Sequence, residues 1–126
     1  MLLEMINMYE VIYFTDGDTS PVVDYMMTLS PKERAKILRE IDLLEKFGYQ
    51  LGMPHSKKMT GTDELWELRI KLASNNHRVF YFHFINNKFV LLHAFRKKSQ
   101  KTPKKEINLA LKRIKQHKQR SDYNES

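Results

Sequence analysis

The chain has 126 residues, 41% hydrophobic and 11% aromatic, which suits one packed domain and argues against wholesale disorder. It has no cysteine, which excludes disulfides and thiolate chemistry, and no apolar run long enough for a membrane helix. The net charge of +7 is uneven: residues 1–50 carry five bases and nine acids, whereas residues 51–126 carry 17 bases and six acids. A polyanionic partner is therefore expected on the C-terminal side, the plain alternative being a solvated basic surface.

The opening Met1–Met8 has no basic lead and no small-residue cleavage site, so it reads as a frayed extension and the chain as cytoplasmic. Tyr9–Thr15 is aromatic and β-branched and predicts a strand, ended by Asp16-Gly17-Asp18. A first helix is predicted over Pro21–Leu29, with Val22, Tyr25, Met26 and Leu29 on one face. Ser30-Pro31-Lys32-Glu33 is a capping box that opens a second helix, which Gly48 closes. Its apolar stripe is read at three-residue spacing through Ala35, Leu38, Ile41, Leu44 and Phe47, widened by Ile37 and Leu43. A basic loop follows, His55-Ser56-Lys57-Lys58.

Three β-rich runs come next, separated by the polar breaks Ser74-Asn75-Asn76 and Asn86-Asn87-Lys88, the pattern of consecutive hairpins. In the first, Trp66, Leu68, Ile70 and Leu72 alternate with Glu67, Arg69 and Lys71. The second, His77–Ile85, is apolar on both faces apart from Arg78 and His83, as a central strand should be. In the third, Phe89, Leu91, His93 and Phe95 alternate with Val90, Leu92 and Ala94, and alternation does not say which set faces the core. From Arg96 to Arg120 there are eleven bases and one acid, Glu106. Thr102-Pro103 opens a last helix to about Lys118, with Ile107, Ala110, Leu111 and Ile114 as a narrow stripe, and residues 119–126 are expected to fray.

No phosphate-binding loop, dinucleotide fingerprint or nucleophile elbow is present. The five histidines lack metal-ligand spacing, so neither metal nor cofactor is expected. What remains is Lys, Arg and His on one side of a sheet. That set suits cleavage of an RNA phosphodiester by its own 2′-hydroxyl, because the nucleophile belongs to the substrate. Arg69 and Arg78 are candidates for a planar phosphate clamp, and His93, Lys97, Lys98 and the 55–58 loop for proton transfer. The plain alternative for Arg69 and Lys71 is the solvated face of a strand.

Leu65-Trp66-Glu67-Leu68-Arg69, His77-Arg78-Val79-Phe80-Tyr81 and the run from Leu91 through Phe95-Arg96-Lys97-Lys98 to Lys101-Thr102-Pro103 follow a strand and a helical hairpin and precede a basic helix. This succession resembles the HigB-type toxins of the RelE/ParE superfamily, in their phage-derived branch. The resemblance implies a small α+β ribonuclease that cuts mRNA on the ribosome without a metal. It also implies a helix-turn-helix antitoxin encoded alongside, with which a heterotetramer containing an antitoxin dimer can form. Arg69 and Arg78 match the phosphate-binding strand arginines, Lys57 and Lys58 the basic loop, and His55 a loop histidine. Lys71, Arg96, Lys101 and Lys104 are the flanking RNA-binding candidates. The end of the last strand departs from the pattern. RelE proper has a tyrosine there, and this chain offers His93, Phe95, Lys97 and Lys98. The ParE branch inhibits gyrase on the same fold, so a toxin without nuclease activity is the rival, and a plain RNA-binding module is the other. The expected architecture is a single domain over 1–126 in β-α-α-β-β-β-α order. It has an antiparallel sheet with helices on one face, a basic cleft on the other and the basic helix at the edge.

Overall fold

The computed structural model describes residues 8–125. The expected frayed start therefore lies, apart from the exposed Met8, outside the described residues. The elements are β1 (Glu10–Tyr13), α1 (Pro21–Met27), α2 (Pro31–Phe47), β2 (Ser56–Lys58), β3 (Trp66–Leu72), β4 (Asn75–Phe84), β5 (Lys88–Arg96) and α3 (Lys104–Glu125). They form a five-stranded mixed sheet in the order β1-β5-β4-β3-β2. The α+β class is as read from the sequence, but the sheet is not wholly antiparallel. β1 lies parallel to β5, pairing Val11 with Phe89 and Tyr13 with Leu91, while the other neighbours are antiparallel. A strand also forms in the basic loop. β2 has only three residues, too few to leave a periodic signature.

The sequence explains both ends of α2. Ser30 Oγ accepts the Glu33 amide, which forms the N-cap half of the expected capping box, and the Ser30 hydroxyl donates to Glu33 Oε1. At the other end Gly48 adopts φ of 53°, and a Cβ there would collide with the Tyr9 ring. The buried stripe of α2 differs from the expected one: Ile37, Glu40, Ile41 and Leu44 face inward, while Leu38 and Phe47 are exposed. Five residues at a strict three-residue step drift around a helix of 3.6 residues per turn. A stripe that mixes three- and four-residue steps stays on one side.

Two cores sandwich the sheet. On one side Val22, Met26, Ile37, Ile41 and Leu44 of the hairpin pack on Leu68, Ile70, Val79, Tyr81 and Leu91. On the other side Ala110 and Ile114 of α3 pack on Phe80, Phe82, Val90, Leu92, Phe95 and Phe14. The last helix therefore covers the second face of the sheet, where an edge position was expected. It also runs past Lys118 to Glu125. Its narrow apolar stripe is supplemented by two arginines over the Phe14 ring, Arg113 at 5.6 Å and Arg120 at 4.9 Å.

The faces of β5 depend on a bulge. Phe80 pairs with His93 but Tyr81 pairs with Leu91, leaving one extra residue in β5. Phe89, Leu91 and Ala94 accordingly join the hairpin core, and Val90, Leu92 and Phe95 the α3 core. This is why strict alternation did not resolve the strand.

Candidate functional site

β3 and β4 bring Arg69 directly opposite Arg78, and β2 brings Lys57 opposite Glu67. Opposed residues and residues two apart share a face, so all four lie on the α3 side of the sheet. Lys97, just past β5, joins them: its charge is felt alongside those of Arg78, Glu67, Arg69 and Lys57. The result is four cations around one buried carboxylate. Glu67 stands 3.7 Å from Arg69 Nε and 3.6 Å from Arg78 Nε. Both separations are too long for hydrogen bonds. Arg69 Nε, Arg78 Nε and Glu67 Oε2 are buried and have no hydrogen-bond partner among the described residues.

Such unpaired buried donors are costly unless something completes them. Arg78 is only 6% exposed and ties one Nη to the His77 carbonyl at 3.1 Å, while Arg69 reaches the Met53 sulfur at 3.4 Å. Burial lowers the Arg78 pKa against the opposing pull of Glu67, yet a guanidinium stays charged at neutral pH. The Lys97 pKa is lowered too, first by burial and then by the neighbouring Arg78.

A cavity of about 300 Å³ adjoins the arginine pair and is lined by Arg69, Arg78, Lys71, His55, Glu40 and Lys36 among others. Here α2 contributes chemistry. Glu40, 4% exposed on the buried stripe, holds His55 Nδ1 at 2.8 Å and has Lys36 Nζ 3.8 Å away. A carboxylate partner fixes the proton on Nδ1 and leaves Nε2 of the neutral ring as the acceptor. Guanidinium groups, an oriented imidazole and an ammonium thus meet at one opening, a set able to bind a phosphodiester and move protons around it.

Residues 24–115 match the family described as "Phage derived protein Gp49-like (DUF891)". The chain belongs to that family. It is a toxin-like family related to the RelE/ParE-type toxins, and membership implies an antitoxin partner. No curated protein matches the chain. The matched span holds Glu40, His55 and the whole arginine–lysine cluster. Among the described residues of this Gp49-like chain no helix is long and apolar enough to cross a membrane.

The other candidates are dispersed. His93 lies beneath α3, with Nε2 3.3 Å from Glu106 and Nδ1 3.3 Å from Arg113, so neither nitrogen is open to a substrate. Burial pushes its pKa down while Glu106 opposes the shift. Arg96 falls on the hairpin face, 3.7 Å from Glu33, and Lys58 faces the side opposite Lys57. Lys98 and Lys101 are exposed between β5 and α3, and Lys104 is exposed at the start of α3.

His77, fully buried, has a structural role: Tyr25 donates to its Nδ1 at 2.6 Å and its Nε2 faces Glu33 at 2.8 Å. The Tyr25 phenol, pushed up to about 12 mainly by burial, stays protonated for that bond. Sequence reading passed over Glu40 and Glu67 as site residues. The signal for Glu40 was a carboxylate inside the apolar phase of α2, visible once the stripe is drawn through Ile37, Ile41 and Leu44.

Proposed function

We propose that this chain is the toxin of a type II toxin–antitoxin pair and a ribosome-dependent endoribonuclease. It works in the cytoplasm and blocks translation by cutting mRNA. The observation that supports this most is the register pairing of Arg69 with Arg78, each with a buried Nε that has no hydrogen-bond partner among the described residues, beside the His55–Glu40 pair. In the proposed step His55 Nε2 takes the proton of the 2′-hydroxyl, whose oxygen attacks the adjacent phosphorus. The bond from phosphorus to the 5′-oxygen breaks, and Lys97 protonates that leaving oxygen. The products are a 2′,3′-cyclic phosphate and a 5′-hydroxyl. Arg69 and Arg78 stabilise the charge that builds on the phosphoryl oxygens. Neither a metal nor a side-chain nucleophile is required, because the substrate supplies the attacking group. Lys57, Lys71, Lys98, Lys101 and Lys104 would hold the flanking backbone, and a helix-turn-helix antitoxin would hold the toxin inactive in a heterotetramer.

Glu67 is what favours the rival reading, a gyrase-inhibiting or otherwise non-catalytic docking protein, since a carboxylate already sits among the cations. One carboxylate against four cations still leaves the cluster strongly positive. The test is purified protein on ribosomes programmed with a defined mRNA, in the presence of a chelator, with the new ends analysed. Cleavage ending in a cyclic phosphate is expected, and Arg69→Ala and Arg78→Ala should each slow it by about a hundredfold. Intact mRNA together with inhibited DNA supercoiling would select the rival.

A further inference from the structure

On the hairpin side of the sheet, away from the arginine pair, a second cavity of about 280 Å³ opens between the end of α2, β3 and β4. Its walls carry the rings of Tyr49, Trp66, Tyr81, His83 and Phe89, with Asp63 and Glu64 beside them. The rings enclose space because they meet at steep angles: 80° between Tyr81 and Phe89, 62° between Tyr49 and Phe89, and 77° between Tyr49 and His83. Tyr49 is also fixed by a hydrogen bond to His83 Nε2.

Among the described residues no lysine or arginine lines this cavity, on a chain whose net charge is +7. Glu64 is taken by Lys118, which reaches both of its oxygens at 2.7 Å, so Asp63 is the acid left uncommitted among the described residues. Burial lowers the His83 pKa, which keeps that ring neutral at pH 7. The volume falls just short of the range of about 300–1,000 Å³ in which sites enclose whole small ligands, and it suits one inserted side chain. Aromatic walls with a free carboxylate attract a cation and disfavour a phosphate.

We infer that this aromatic cavity is the receptor for an arginine or lysine side chain of a protein partner. It lies on the opposite side of the sheet from the Arg69–Arg78 pair, and the inference does not depend on nuclease activity. A partner docked here would leave the arginine pair uncovered.

Trp66 is the only tryptophan in the chain, so its fluorescence reports on this cavity specifically. The intact protein is titrated with a capped pentapeptide, Gly-Ser-Arg-Ser-Gly, with the same peptide carrying citrulline in place of arginine, and with a mononucleotide. The arginine peptide should give a saturable change that weakens with salt. The neutral peptide should bind several-fold more weakly, and Asp63→Asn, in an exposed turn, should weaken the arginine peptide by about two- to fivefold. Equal responses to the arginine and citrulline peptides would overturn the inference. So would a tighter response to the nucleotide, or no response to the arginine peptide up to about 10 mM.

Discussion

Replacing Arg78 by alanine separates a catalytic from a structural role for the guanidinium pair. Arg78 is 6% exposed and lies 3.6 Å from the buried Glu67, so its removal has two consequences. The first falls on the transition state. Losing one charged donor aimed at developing oxyanion charge costs about 3 kcal/mol, a rate loss on the order of a hundredfold. The second falls on the fold. A cavity opens and Glu67 loses one of the two guanidinium groups nearest to it, which costs about 1–3 kcal/mol. For a chain of this size that lowers the melting temperature by about 4–12 °C. Pairing Arg78→Ala with Glu67→Gln removes the uncompensated carboxylate and should recover most of the lost melting temperature. Single-turnover cleavage on programmed ribosomes, with thermal unfolding followed by circular dichroism, reads both terms. The double variant should melt near the parent and still cleave about a hundredfold more slowly. A double variant with native melting and a rate within threefold of the parent would refute the phosphate clamp.

Other perturbations test the remaining parts. Glu40→Gln keeps a hydrogen-bonding atom near His55 but loses the charge assistance, worth about 1.5–3 kcal/mol. Its single-turnover rate should fall by about ten- to a hundredfold with little change in RNA affinity, and a purely structural Glu40 would instead lower the melting temperature alone. If Lys97 is the proton donor, its lowered pKa places the alkaline fall in rate below the usual lysine range, because the ammonium must be present. Lys97→Arg should abolish that fall, and an unchanged pH profile would assign the donor elsewhere. Glu33 is held below the usual carboxylate range, first by its hydrogen bond to His77. A lowered folded pKa contributes stability that is present above the unfolded value and is lost as pH falls through the folded one. Glu33→Gln should therefore lower urea stability at pH 7 and flatten its decline below about pH 4.5; parallel curves would deny the coupling.

The hairpin and its capping box were legible because they are local. Ser30, Pro31 and Glu33 lie within one helical turn, and their geometry follows from the backbone donors left open at a helix start. The strand over Trp66–Leu72 was equally legible from its alternation, although the expected open face is covered by α3 and Glu67 there is buried. The arginine pair is an intermediate case. The sequence placed Arg69 and Arg78 on neighbouring strands, but only the register set them opposite one another around Glu67.

What the sequence alone determined was the helical hairpin and the β-hairpin strands, carried by residues close together in the chain, with the uneven charge and a relation to the RelE/ParE-type toxins, though not the HigB type in particular. Only the tertiary structure decided that β1 runs parallel to β5, that α3 covers the second face and buries His93, and that a helix carboxylate reaches His55. Each joins residues distant in sequence, from 13 apart for His93 and Glu106 to 15 for Glu40 and His55 and some 78 for β1 and β5. Local periodicity records which side of an element is apolar. Which element covers that side depends on chain closure and packing, and these are properties of the whole molecule.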